Sequence, residues 1–373
     1  MPQRLLSLDV FRGLTVALMI LVNNPGSWAH IYPPLRHATW HGLTPTDLVF
    51  PFFLFIVGTA MSLSFTRRLE QGARRADLVR KILLRSAVIF ALGLFLNGFP
   101  FKDFPGAAST LRIMGVLQRI ALCYLLAGLA VVGLPRPRGL WLTGAGLLAV
   151  YELAMRAPWV AGWGAGSFAL EDNLVRWLDL RLLGEAHLWT GAGLPFESEG
   201  LLSTLPAVVT TLLGFGAGEI LRRDAALTVR LGHLARVGLG LGLAGLGLGL
   251  VEPLNKQLWT VSYVAVTGGL AFLTLAACSW CLDVRGWTRP WRPAVVFGSN
   301  PLVVFVGSGV LTRILLLIKV DGGTLSLQKW LYTRVFVPPF GEMNGSLAYA
   351  LTFIGLWLGG LWILWARRIF VKI

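Results

Sequence analysis

Charge is scarce in this chain. Charged side chains make up 14% of its 373 residues, against roughly a quarter in an average soluble protein. Acids are scarcer than bases, 18 against 33, and the net charge is +15. The basic residues sit in short loops between apolar runs, so the excess does not mark a nucleic-acid surface. Three cysteines, Cys123, Cys278 and Cys281, exclude a disulfide framework. Cys278 and Cys281 form a C-x-x-C inside an apolar run, where small packing residues are the plainer expectation. Histidine is rare as well, with five in the whole chain.

Apolar residues are abundant, at 55%. Runs close to 20 residues recur along the chain, the length that crosses about 30 Å of hydrocarbon. The expected fold is an all-α polytopic membrane bundle of about ten transmembrane helices. The expected spans are 5–23, 46–66, 79–97, 111–133, 139–157, 201–221, 233–251, 257–281, 294–318 and 346–366. The first contains Asp9 and Arg12 and lacks a small-residue cleavage site, so it is expected to remain as a span. The whole chain, 1–373, reads as one transmembrane domain. Its longer outer segments fall at about 158–200 and 319–345.

Arginine and lysine set the orientation. Arg67, Arg68, Arg74, Arg75, Arg80 and Lys81 lie in one loop. Arg222, Arg223 and Arg230 lie in another, Arg285, Arg289 and Arg292 in a third, and Arg367, Arg368 and Lys372 end the chain. Alternate loops are sparser, with Arg36 in one, Lys102 in the next and Lys256 in another. The positive-inside rule then places both termini in the cytoplasm. Span seven, "GLGLGLAGLGLGL", carries Gly238/Gly242 and Gly245/Gly249 at the spacing that lets helices approach closely. That face could also pair two copies into a homodimer.

Arg85, Arg112, Arg119, Arg156 and Arg313 fall within or at the edge of spans. Buried arginines suit a polar tunnel or an anionic ligand such as a phosphate. Asn255, Lys256 and Trp259 stand before span eight in "NKQLWTVSY", either as an interfacial anchor or as ligand contacts.

The segment "RHATWHGLTPTDLVFPFF", Arg36 to Phe53, concentrates chemistry at the start of span two. Thr44-Pro45-Thr46-Asp47 is a helix-start pattern with an acid at the third position. Pro51 cannot donate to the Asp47 carbonyl, so the first turn is expected to be distorted. An aspartate there can also orient His37 or His41, and a histidine so oriented is suited to general-base work. The Asn23-Asn24 pair lies just upstream. No metal-ligand spacing stands out.

Several stretches together resemble the transmembrane acetyltransferase family of heparan-alpha-glucosaminide N-acetyltransferase. They are "RLLSLDVFRGLTVALMILVNN", "RHATWHGLTPTDLVFPFFLFIVG", "RIMGVLQRI", "GEAHLW", "SEGLLSTLPAVVTTLLGFGAGEIL", "NKQLWTVSYV" and "FGSNPLVVFV". They follow the family's order over nearly the whole chain. The chain looks like a bacterial relative without the animal enzyme's extra N-terminal luminal domain. The resemblance implies transfer of an acetyl group from cytosolic acetyl-CoA to the amine of a glucosamine-type sugar across the membrane. It assigns His37 as the catalytic histidine, acting as general base or as a nucleophile that carries the acetyl group, with Asp47 and Asn23 beside it. The spacing from Asn23 to His37 is a few residues longer than in the family. Arg12 and Arg119, with Asn255, Lys256 and Trp259, are the donor-binding candidates.

Expected partners are the lipid bilayer and an amino-sugar acceptor, with no nucleic acid and no metal. The expected location is a bacterial inner membrane, with His37 near the periplasmic face. A polysaccharide O-acyltransferase and a secondary transporter are the competing classes. The first would modify hydroxyls, and the second would release no CoA thiol.

Overall fold

A computed structural model describes residues 5–101, 106–134, 137–157, 163 and 166–371. Lys102 and Lys372 lie outside the described residues. Among the described residues the fold is all-α, apart from a two-stranded ribbon pairing Lys319–Val320 with Leu325–Ser326 and a single bridge between Trp189 and Phe196. Among the described residues, seven helices are long and apolar enough to cross a membrane, or eight if one bent pair counts as a span.

Each of the ten expected spans is at least partly helical. They are α1 Leu6–Asn23, α2 Pro45–Glu70, α3 Arg75–Gly98, α4 Val116–Gly133 and α5 Pro137–Arg156. After the short helix α6 Leu174–Leu182 come α7 Thr204–Arg222, α8 Leu227–Leu248 and α9 Val261–Val284. The bent pair is α10 Arg292–Ser299 and α11 Pro301–Leu317, followed by α12 Leu327–Ala366. Helices α3 and α5 are the two outside the apolar set. The first turns of α3 carry Arg75, Asp77, Arg80, Lys81 and Arg85, and α5 carries Arg138, Glu152 and Arg156.

The expected span over 294–318 is bent. The chain turns by 72° between Arg289–Ser299 and Pro301–Leu317. Pro301 has no N–H to continue the ladder and disfavours the helical region for the residue before it. Asn300 accordingly sits at φ −134°, ψ 56°. The final helix is also interrupted, by Gly341 at φ 73°. Residues 327–340 therefore form a helical arm ahead of the last span.

The chain divides into two compact units. One comprises residues 1–38, 44–49 and 277–373, and the other 39–43 and 50–276. In the first, α1 packs against α10 with almost no side chain between them. A Cβ added at Gly13 would lie 1.7 Å from the Ala294 carbonyl oxygen, and one at Gly298 2.1 Å from that of Asp9. Small residues allow this approach, which maximises dispersion contact where lipid supplies no hydrophobic drive.

The second unit is built around α7, which is largely buried. A Cβ at Gly58 would meet the Thr211 carbonyl oxygen at 1.8 Å, and one at Gly214 the Phe55 oxygen at 1.9 Å. Thr59 Oγ1 donates to the Gly214 carbonyl at 3.0 Å, joining α2 to α7. The glycine-rich α8 uses its expected face inside the unit. A Cβ at Gly238 would lie 2.8 Å from the Gly269 oxygen, and one at Gly245 2.5 Å from Val266 N. Gly238 and Gly245 thus serve α8–α9 packing. Leu239, Leu243 and Leu246 cover the exposed side.

At one end of this second unit several loops meet. His187 Nδ1 lies 2.7 Å from the Leu111 carbonyl oxygen, Gly42 N–H donates to Leu254, and Trp40 Nε1 donates to Phe168. Alternating helix directions bring these loops to a common end, as the sequence order of spans requires.

Candidate active site

The loop after α1 folds back through its own backbone and returns at Pro45. Residues Pro45–Leu48 form a 3₁₀ turn, and α-helical geometry begins at Val49. This is the distortion that Pro51 imposes, because its ring nitrogen cannot bond to Asp47. The tight turn sets Asp47 facing the incoming chain at 1% exposure.

Its two oxygens do different work. Oδ2 accepts from Ala38 N–H at 3.1 Å, Thr44 N–H at 3.0 Å and Thr44 Oγ1 at 2.9 Å. Oδ1 lies 2.6 Å from His37 Nδ1. An ionised carboxylate only accepts hydrogen bonds, so Nδ1 carries the proton and the neutral ring keeps its lone pair on Nε2. The His37 side chain is 42% exposed. The local geometry therefore offers a ring of fixed tautomer that a substrate can reach, backed by a buried acid.

His41 has different partners. Asn255 Nδ2 donates to the Trp40 carbonyl at 3.0 Å and lies 3.2 Å from His41 Nδ1. Asn255 Oδ1 accepts Leu258 N–H at 2.8 Å, which fixes the amide's orientation. His41 Nδ1 is then an acceptor and its proton sits on Nε2. Partial burial pushes its pKa below the ordinary imidazole value, which agrees with a neutral ring. The two histidines of the motif thus carry opposite tautomers. Asn255 is fully buried and ties the 39–43 loop to the turn before α9. Lys256 adds attractive charge near Glu199.

Trp259 is 1% exposed with backbone φ at +58°. A bulky residue in the left-handed region stores roughly 1–3 kcal/mol of strain and persists only when its surroundings hold it. Trp259 Nε1 donates to Thr210 Oγ1 at 3.1 Å, its ring packs edge-to-face with Phe50 and Tyr263, and the Arg119 guanidinium lies 5.3 Å from its centroid.

Arg119 is fully buried in the first turn of α4. It donates to the Gly200 carbonyl at 2.9 Å and to Ser203 Oγ. These partners place it at the end where Leu111 and His187 meet, opposite the C-terminal end of α4. Arg12 bonds Asp9 Oδ1 at 3.1 Å and the Gly298 carbonyl at 3.3 Å, joining α1 to α10. Asn23 is exposed at the end of α1. Its neighbour Asn24 is the bonded one, donating to Ile20 at 2.9 Å and accepting from Thr312 Oγ1 at 2.5 Å.

Pattern reading missed the charge cluster of the second unit. Arg112 grips Glu197 through Nε at 2.9 Å and Nη2 at 2.5 Å, and reaches Glu199 at 2.7 Å. The sequence separates these partners by 85 and 87 residues, and no local pattern pairs them. Burial raises the Glu197 pKa, while Arg112 and Arg119 hold that of Glu199 below the usual range.

Asp179 closes the cluster. Oδ1 accepts Leu201 N–H at 2.9 Å, while Oδ2 is buried and unbonded among the described residues. Burial pushes its pKa up to about 7. A carboxyl whose folded pKa is raised binds its proton more tightly folded than unfolded. Stability therefore falls as pH rises from near 4 to about 7. Glu252, also raised to about 7 by burial and by Glu152, adds to the same slope. We expect the thermal midpoint of the detergent-solubilised protein to drop across this window, and Asp179→Asn to flatten the drop. An unchanged slope in the variant would remove Asp179 from the account.

The family model described as "Heparan-alpha-glucosaminide N-acetyltransferase, catalytic" matches residues 4–248. The human heparan-alpha-glucosaminide N-acetyltransferase (Homo sapiens) is 30% identical over 361 residues, covering 83% of this chain and 53% of the relative. The mouse protein of the same name (Mus musculus) is 30% identical over 357 residues, covering 83% and 54%. The chain spans about half the length of these curated relatives. Residues Arg12, Asn23, His37, Asp47 and Arg119 fall inside the matched region, and Asn255, Lys256 and Trp259 beyond it. On this match, the chain belongs to the heparan-alpha-glucosaminide N-acetyltransferase catalytic family.

Proposed function

We propose that this protein is a membrane acetyltransferase that moves an acetyl group from acetyl-CoA to the amine of a glucosamine-type sugar. The observation that carries the reading is the 2.6 Å contact between His37 Nδ1 and the buried Asp47 carboxylate, in a chain of this family. An amino sugar is mostly an ammonium ion at neutral pH and cannot attack. Once it has lost that proton, its nitrogen adds to the thioester carbonyl while His37 Nε2 takes a second proton from it. The C–S bond then breaks, and the departing CoA sulfur takes the proton back from the imidazolium. Asp47 holds the ring and stabilises its charged form. Asn23 is the proposed donor to the thioester oxygen as negative charge develops there.

The basic loops favour a cytoplasmic donor, with His37 on the outer face of a bacterial inner membrane. The donor's phosphates suit the arginines of those loops, with Arg12 on the first helix. Arg119, Asn255 and Trp259 suit a supporting role better than contact with phosphate. Arg119 is fully buried, and the polar atoms of Asn255 and Trp259 are committed to protein partners.

An acceptor comparison tests the reaction class. Purified protein with acetyl-CoA should release thiol with glucosamine, and the product should gain one acetyl group on nitrogen. N-acetylglucosamine, which offers only hydroxyls, should give no release. Acetylation of hydroxyls alone would assign the chain to O-acyl transfer. No thiol release with any amine or hydroxyl would remove the enzyme reading.

A further inference from the structure

The last turns of α9 belong to the first unit, and the corner that follows them carries charge and aromatic rings together. Gly286, at φ 69°, lets the chain reverse there. Trp287 N–H then donates back to the Cys281 carbonyl at 3.0 Å, and Trp287 meets Trp280 edge-to-face with ring centroids 6.2 Å apart. The Arg285 guanidinium lies over the Trp280 ring, 4.7 Å from its centroid. Stacking on an indole fixes the plane of a guanidinium and leaves its N–H edge free to bind an anion.

Arg289 and Arg292 follow on the same connection, and all three arginines are exposed. Among the described residues, none of the three guanidinium groups bonds an acid or a carbonyl. Several arginines of the second unit are committed in that way. Arg74 bonds Asp77, Arg222 bonds Glu70 and the Ser62 carbonyl, and Arg230 bonds the Leu221 carbonyl. Between Trp280 and Asn300 the sequence has one acid, Asp283. The corner therefore presents unneutralised positive charge on a pre-oriented donor.

Exposed apolar side chains sit among these arginines: Trp280, Val284 and Trp287. Setting the orientation of a span needs the charge alone. Indoles beside arginines are instead the build of a bilayer surface, where an amphipathic ring spans the headgroup level. A free phosphate or a nucleotide would leave the apolar side chains in water, whereas a phospholipid offers a phosphate and an acyl chain together. We propose that this corner binds the headgroup of an anionic phospholipid. Arg285 holds the phosphate, Arg289 and Arg292 add attraction, and Trp280, Val284 and Trp287 lie against the glycerol and the upper acyl chain. The assignment is independent of the acetyl-transfer reading, and it takes this loop out of the set that serves the donor.

The test counts bound lipid directly. Full-length protein in a non-ionic detergent is titrated with dioctanoylphosphatidylglycerol or dioctanoylphosphatidylcholine, and occupancy of the first bound lipid is read by native mass spectrometry. Wild type should bind phosphatidylglycerol at least about tenfold more tightly than phosphatidylcholine. Arg285→Gln combined with Arg289→Gln should weaken phosphatidylglycerol binding by about tenfold or more, at roughly fivefold per arginine. Arg67→Gln combined with Arg68→Gln removes the same charge from the second unit and should change that binding by less than about twofold. CoA or inorganic phosphate at the lipid's own concentration should not displace it. Equal binding of the two lipids by wild type would overturn the assignment, as would phosphatidylglycerol binding unchanged in the folded Arg285/Arg289 variant. Equal loss in both double variants would reduce the effect to net charge and overturn it too. Displacement by CoA would return the loop to the donor.

Discussion

His37→Ala should lower kcat for acetyl transfer by about 10²–10⁴-fold, the usual contribution of a positioned general base. The acetyl-CoA KM should stay near the wild-type value, because the residue acts on the acceptor's proton. The substitution should also be gentle on folding. The ring is 42% exposed, and Asp47 keeps the donors Ala38 N–H, Thr44 N–H and Thr44 Oγ1 on its other oxygen. Asp47→Asn differs in kind. It removes the acceptor that fixes the His37 tautomer and disturbs the turn that starts α2, so it should lower both activity and thermal stability. His37→Ala should lower activity alone. A variant that lost stability and activity together at His37 would recast the pair as structural. Steady-state kinetics beside thermal melts in detergent separate these outcomes.

Arg112→Ala carries the largest expected cost in stability. Glu197 is fully buried and Glu199 nearly so. Removing one partner of a buried ion pair leaves uncompensated charge behind and costs about 3–5 kcal/mol. Arg112→Lys should recover only part of that, because a lysine ammonium cannot reproduce the two-pronged contact with Glu197. The double replacement Arg112→Met with Glu197→Gln should be milder than Arg112→Ala, since less charge is stranded. Limited proteolysis of the 183–203 loop would report the loss locally, with cleavage appearing in Arg112→Ala before the helices unfold. A loop equally resistant in wild type and variant would show that the cluster does not hold it.

The sequence made the spans readable because membrane crossing needs length and apolarity, and both are local properties. The turn before α2 was readable for a similar reason: Pro45 and Pro51 act within one helical turn, and their effect on Asp47 follows from a missing N–H. The His37–Asp47 contact crosses only ten residues and came with a recognisable motif. The bend at Asn300-Pro301 was hidden by the apolar run that continues across it, although the proline that causes it was in plain view.

Long-range pairings left no such trace. Nothing in the spacing of Arg112, Glu197 and Glu199 indicates that they meet. The same holds for Asn255, which ties down His41 from 214 residues away. Glycine spacing in α8 correctly indicated close packing, but it could not say that α9 was the partner. Arg119 was legible as an unusual charge in an apolar run. Only its bonds to Gly200 and Ser203 show which end of the unit it serves.

The most direct test of the account is the ratio of products formed by wild type and His37→Ala from acetyl-CoA and glucosamine. Free thiol and N-acetylglucosamine are quantified from the same quenched samples. The account predicts one thiol per acetylated sugar in wild type, with both falling together by at least about 10²-fold in His37→Ala. Equal rates of acetylated product in the two proteins would contradict it.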